Sequence, residues 1–263
     1  MPKIALMVVG PAGSGKSTFC SQMLEHFTTI RRVVHVVNLD PAADYLPYKP
    51  SFDIRDLISL NDAMEEMELG PNGGLVFCME YLLQNLDWLE EQLGEYDDDY
   101  LLLDCPGQIE LYTNVPSMRF LTGTFQNWGY NLVGMYCLDV TFVLDPPKLI
   151  SGLFTCLSTM YQFGLPHINL LTKCDMMEDT TDLEEKVSPA RPELEYELNI
   201  MTSGKYQRLN KKVVDFLRDN DVVSVHCLNY ADEDSLGDLL VQLDMVTQYY
   251  DDAEVKEAVE VEE

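Results

Sequence analysis

Residues Gly10–Ser17 read Gly-Pro-Ala-Gly-Ser-Gly-Lys-Ser and directly follow the apolar run Ile4-Ala5-Leu6-Met7-Val8-Val9. Glycines at 10, 13 and 15 let the backbone curl without Cβ clashes, so successive N–H groups can point at phosphate oxygens. Lys16 is a point charge for the outer phosphates. Ser17 offers a hydroxyl to Mg2+, and a helix starting there aims its positive end at the anion. Strand, glycine-rich loop and Lys-Ser in that order form the P-loop pattern. Gly13, Ser14, Gly15, Lys16, Ser17 and Thr18 are its candidate nucleotide contacts.

Three further strings carry chemistry that fits a bound nucleoside triphosphate. Asp104-Cys105-Pro106-Gly107-Gln108 closes the apolar run Tyr100–Asp104. An Asp at such a strand end holds Mg2+, usually through water, the Gly107 N–H can sense the γ-phosphate, and Gln108 can orient the attacking water. Glu110 is a further candidate for positioning that water. Thr172-Lys173-Cys174-Asp175 matches the [Asn/Thr]-Lys-x-Asp signature that reads guanine. Its Asp carboxylate accepts from the guanine ring N–H and amine, while the Lys stem lies along the base. Adenine would leave that carboxylate unpaired, a costly mismatch. Asp40, in Asn38-Leu39-Asp40-Pro41-Ala42, could face Mg2+ and a nucleophilic water, or merely start a turn. Gly70-Pro71-Asn72-Gly73-Gly74 reads on its own only as a tight turn capping the next helix.

The elements that must position these residues are legible too. Phe19, Met23, Phe27 and Ile30 share one helical face, and Val33-Val34-His35-Val36-Val37 follows as a strand. This βαβ opening predicts an α/β fold with a mostly parallel sheet. Further strands are expected at Tyr100–Asp104, Leu132–Asp139, His167–Thr172 and Val222–Leu228, as short runs buried on both faces. Leu75, Met79, Leu82, Leu86, Leu89 and Leu93 form a heptad seam that is either a core-facing helix or a subunit interface. A buried helix is expected over 149–163, between Pro146-Pro147 and Gly164-Leu165-Pro166, and a last helix over 235–250. Residues 176–208, interrupted by Pro189 and Pro192, read as an inserted, partly flexible segment or lid within one domain spanning 1–250. An acidic, disordered tail is expected over 251–263.

Bulk properties bound the partners. The 263 residues are 46% hydrophobic and carry a net charge of −28, from 45 acidic and 17 basic side chains. Such a charge argues against an extended nucleic-acid surface and against anionic membranes. No uncharged apolar run reaches membrane-spanning length and no signal peptide is evident at Met1-Pro2-Lys3. The seven scattered cysteines include no C-x-x-C pair, so they read as reduced, mostly buried thiols. The four histidines form no cluster with them, which disfavours a metal-delivery role.

Together the strings Gly-Pro-Ala-Gly-Ser-Gly-Lys-Ser, Asn-Leu-Asp-Pro-Ala-Ala, Gly-Pro-Asn-Gly-Gly-Leu, Asp-Cys-Pro-Gly-Gln-Ile-Glu-Leu-Tyr and Thr-Lys-Cys-Asp resemble the GPN-loop GTPase family. The stretch beginning Gly-Pro-Asn is most similar to that family's eukaryotic type-3 branch. The resemblance implies a three-layer P-loop NTPase fold with a GPN-loop insertion, GTP/GDP and Mg2+ as ligands, and GTP hydrolysis. It implies that Ser17, Asp40 and Asp104 serve the metal, and that Asp40, Asp104, Gln108 and Glu110 arrange water. Gly70, Pro71 and Asn72 would reach the nucleotide of a dimer partner, with Asn72 stabilising the transition state there. It further implies a heterodimer with a type-1 GPN-loop paralogue, a role in RNA polymerase II assembly and nuclear import, and a cytoplasmic protein that shuttles to the nucleus. The family's last guanine-contacting loop should follow the strand Val222–Leu228, after residue 228, and Cys227-Leu228-Asn229 is a loose match to it. Two other readings of the motifs stay open: a nucleotide-bound assembly scaffold with little turnover, and a P-loop kinase.

Overall fold

A computed structural model describes residues 3–94, 96, 100–177, 183–219 and 224–249. Its centre is β1 (Ile4–Val9), whose side chains all lie buried. Flanking it are β2 (Val34–Asn38), β3 (Phe52–Asp53), β4 (Tyr100–Asp104), β5 (Asn131–Asp139), β6 (His167–Thr172) and β7 (Val225–Cys227). They form one parallel sheet in the order β3-β2-β4-β1-β5-β6-β7. The chain winds from β1 toward β3, returns through β4, then continues outward from β5. The winding direction therefore reverses beside β1, and open parallel sheets bind ligands outside the carboxyl ends at such a reversal.

Period-two alternation divides the core. Ile4, Leu6 and Val8 face one layer, while Ala5, Met7 and Val9 face the other. The first layer holds α1 (Lys16–Thr29) through Phe19, Met23 and Phe27, and the last helix, Glu233–Thr247, through Leu239, Leu240 and Leu243. Ile30, expected on the face of α1, lies past its end and is 40% exposed.

The opposite layer is broader. After α2 (Leu60–Met67) come α3 (Pro71–Gln84) and α4 (Leu86–Leu93), then α5 (Glu110–Thr113), α6 (Ser117–Asn127) and α7 (Pro146–Phe163). The heptad seam turns inward: Met79, Leu82, Leu89 and Leu93 are buried core. It is also not one helix, because Asn85 leaves helical geometry at φ −120° and ψ 42°. Helix α7 starts on two prolines behind Asp145, which caps it through the Lys148 N–H, and stops at Gly164 with φ 61°. Between β6 and β7 lie α8 (Leu183–Val187), α9 (Leu194–Met201) and α10 (Gln207–Asp219), with Leu183, Val187, Leu194 and Leu198 buried in the main core. The acidic tail lies outside the described residues, as does the start of the segment expected as the last strand. Among the described residues no helix is long and apolar enough to cross a membrane.

Candidate functional site

Nearly every candidate residue follows the carboxyl end of a parallel strand. The P-loop follows β1, Asp40 follows β2, Asp104 ends β4, and Thr172 ends β6. This convergence results from parallel topology, since all strands point their C-termini to one edge.

Gly10, Gly13 and Gly15 have φ of 141°, 75° and 88°, backbone states that L side chains rarely adopt. A Cβ on Gly10 would also stand 2.4 Å from the Cys137 carbonyl oxygen. Helix α1 begins with no side-chain cap and no acidic residue in its first turn, so its first N–H groups and positive end remain available to an anion. Buried Lys16 folds back to donate from Nζ to the Pro11 carbonyl at 3.2 Å.

Asp104 is buried, and burial pushes its carboxyl above the ordinary range, opposed by the nearby Ser17 and Tyr48 hydroxyls and the Lys16 charge. Tyr48 donates to Oδ2 at 2.7 Å, whereas Oδ1 has no partner. Asp40 shows the same conflict: burial raises it, while the Ala42 N–H at 2.9 Å and the Lys16 charge draw it down. Gly107 abuts the P-loop, where a Cβ would lie 2.8 Å from the Cα of Ala12. Gln108 follows with a buried Oε1 that lacks a partner, as does Oγ of Ser14 in the P-loop. Glu110 is exposed at the start of α5.

These orphaned atoms are the test of whether Mg2+ fits. A buried carboxylate oxygen without a donor is costly unless a cation or water completes it. Asp104 with Ser17 beside it, and Asp40 in the same charge cluster, supply hard oxygen donors of the right kind. Among the described residues no group of three or more His, Cys, Asp or Glu could hold an ion unaided.

The Thr-Lys-Cys-Asp string is bolted onto the P-loop. The Thr172 hydroxyl lies 2.6 Å from the Ser14 carbonyl and 3.1 Å from that of Leu138. Lys173 takes φ 62° and donates to the Gly13 carbonyl at 2.6 Å and to Asp139 Oδ2 at 2.5 Å. Burial pushes the Asp139 carboxyl up, but Lys173 and Thr141 outweigh it and hold the group below its usual range. Asp175 stands exposed one turn further on. The loop at 227–230 lies against this string, with the Leu228 N–H on the Leu171 carbonyl at 2.8 Å and the Cys174 N–H on the Leu228 carbonyl at 3.3 Å.

The Gly-Pro-Asn string opens α3. Gly70 caps α3, Pro71 occupies its first turn, and Asn72 is exposed to solvent. The start of α2 is tied to the Asp40 loop by the Leu60 N–H on the Pro41 carbonyl at 3.0 Å.

Sequence reading missed Tyr48, Asp139 and the clamp Asn38–Asp53–Arg55. Asn38 donates to Asp53 at 2.9 Å, Arg55 pairs with Asp53 at 2.6 Å, and Arg55 reaches the Ala43 carbonyl at 2.6 Å. Asp139 carried a signal, as the last residue of an expected strand. Tyr48 carried none, because nothing in its spacing marks an approach to Asp104.

Comparison with known proteins agrees with this geometry. A family model described as "Conserved hypothetical ATP binding protein" matches residues 8–249. GPN-loop GTPase 3 of Yarrowia lipolytica is 46% identical, covering 100% of this chain and 99% of that protein. The proteins of that name from Danio rerio and Saccharomyces cerevisiae are each 42% identical, over 100% of this chain and 94% and 100% of theirs. A GTPase in apo form from Pyrococcus abyssi superposes with a TM-score of 0.75 over 95% of this chain and 98% of its own, at 23% identity, which bears on the fold. Full-length similarity to these relatives, on an all-parallel sheet with a P-loop at its reversal point, makes the chain a member of the GPN-loop GTPase family.

Proposed function

We propose that the chain binds GTP with Mg2+ and hydrolyses it to GDP and phosphate. The observation that carries this is the bolting of Thr172 and Lys173 onto the carbonyls of Ser14 and Gly13, which ties a guanine-reading loop to a phosphate-reading one. In this reading the P-loop N–H groups and Lys16 bind the phosphates, and Asp175 selects guanine. Ser17, Asp104 and, through water, Asp40 would hold Mg2+, which when bound neutralises charge on the phosphates. Gln108 and Asp40 orient the attacking water, with Glu110 as a further candidate at the open side. The Gly107 N–H faces the terminal phosphate.

The exposed Asn72 acts across a dimer in this proposal, completing the partner's site, and the preferred partner is a type-1 GPN-loop paralogue. RNA polymerase II subunits as clients, and shuttling between cytoplasm and nucleus, follow from the motif resemblance alone. A titration with non-hydrolysable GTP and ATP analogues in Mg2+, with sedimentation of the same samples, tests the core of this reading. Preference for GTP with dimer formation supports it. Preference for ATP overturns the guanine assignment.

A further inference from the structure

Tyr48 lies in the connection from β2 to β3, the same segment that begins at Asp40. Its ring is buried in the core layer that also holds α1. The segment is tethered on both sides: Ser21 of α1 donates to the Pro47 carbonyl at 3.2 Å, and the Ser51 N–H donates to the Val36 carbonyl at 2.8 Å. The Tyr48 hydroxyl is therefore delivered to a set place, 2.7 Å from Asp104 Oδ2, while Oδ1 of that carboxylate has no partner.

We propose that Tyr48 is the positioning residue of the metal carboxylate: its hydroxyl occupies Asp104 Oδ2 and leaves Oδ1 as the single oxygen turned toward Mg2+ and its water. This rests on the GTPase reading above and deepens it. An untethered carboxylate can rotate or present both oxygens. Mg2+ demands near-octahedral geometry and gives up water reluctantly, so one oxygen held in one place suits it better. Partners that hydrogen-bond a ligating carboxylate commonly change metal affinity by about 10–100-fold. The competing role for Tyr48 is packing alone, as a ring that fills space between the loop and α1.

The experiment compares the wild type with Tyr48→Phe, which keeps the ring. A fluorescent, non-hydrolysable GTP analogue is titrated at Mg2+ concentrations from an EDTA-buffered floor upward, and thermal unfolding is followed in EDTA. The Mg2+ concentration at half-saturation should rise about tenfold or more, with nucleotide affinity in EDTA held within about twofold. In an Asp104→Asn background the same substitution should add nothing, because the coupled partner is gone. An unchanged half-saturation, with or without a lower melting temperature, overturns the proposal and leaves packing as the role of Tyr48. An equal further loss in the Asp104→Asn background overturns it too. A wild type that ignores GTP and Mg2+ overturns the GTPase reading along with it, whereas a Mg2+-dependent wild type matched by its variant overturns this proposal alone.

Discussion

Thr172 shows how one hydroxyl can join two recognition loops. It is nearly fully buried and meets two carbonyls, Ser14 on the P-loop and Leu138 at the end of β5. Thr172→Val keeps the shape but strands those carbonyls, so unfolding in urea should show a loss of about 1–3 kcal/mol, with weaker nucleotide binding alongside. Asp175 is the opposite kind of residue, exposed to solvent. Asp175→Asn should leave stability near wild type, weaken GTP binding by more than about tenfold and move preference toward xanthine nucleotide, since a charge-assisted pair is lost. Competition titration against labelled GTP reads this, and unchanged affinity would remove Asp175 from base recognition.

At the scale of elements, the contact of β5 with β6 contains a pH-sensitive point away from the nucleotide edge. His167 pairs with Gly134 in register, and a Cβ on Gly134 would stand 2.4 Å from the imidazole Nδ1. Both ring nitrogens are buried without partners, and burial lowers the pKa from 6.5 to about 4. The unfolded chain therefore takes up this proton first as pH falls. Stability is full above pH 6.5, declines toward pH 4 and is flat in this contribution below that, by at most about 3 kcal/mol. Chemical denaturation of His167→Leu across that range should lose this slope. A slope equal to that of the wild type would show that other groups carry it.

For the whole molecule, the nucleotide edge is assembled from strand ends, whereas the Gly-Pro-Asn string opens a helix. The strand ends gather Lys16, Asp40, Asp104 and Lys173 into one chain's site, while Asn72 sits exposed on α3. In the proposed function this exposed residue would serve a second subunit. Asn72→Ala should keep GTP-analogue affinity within about twofold and lower turnover about tenfold or more, the range for losing a transition-state donor. Single-turnover phosphate release measures this, and equal turnover would confine Asn72 to its own helix.

Much of this was legible before any fold was known, because its signals are local. Backbone demands write Gly10, Gly13 and Gly15 into the chain, burial on both faces writes β1, β4 and β6 as apolar runs, and caps write the ends of α7 at Asp145 and Gly164. The P-loop is a motif for the same reason: its turn is completed within a few neighbouring residues. The heptad pattern could not say whether its leucines met a core or a partner, since both surfaces are equally apolar. Packing against the sheet decided for the core at Met79, Leu82, Leu89 and Leu93. The Tyr48–Asp104 bond spans 56 residues and the Thr172–Ser14 bond 158, separations over which spacing holds no information. Only the parallel winding, which brings every strand's carboxyl end to one edge, makes those pairs neighbours.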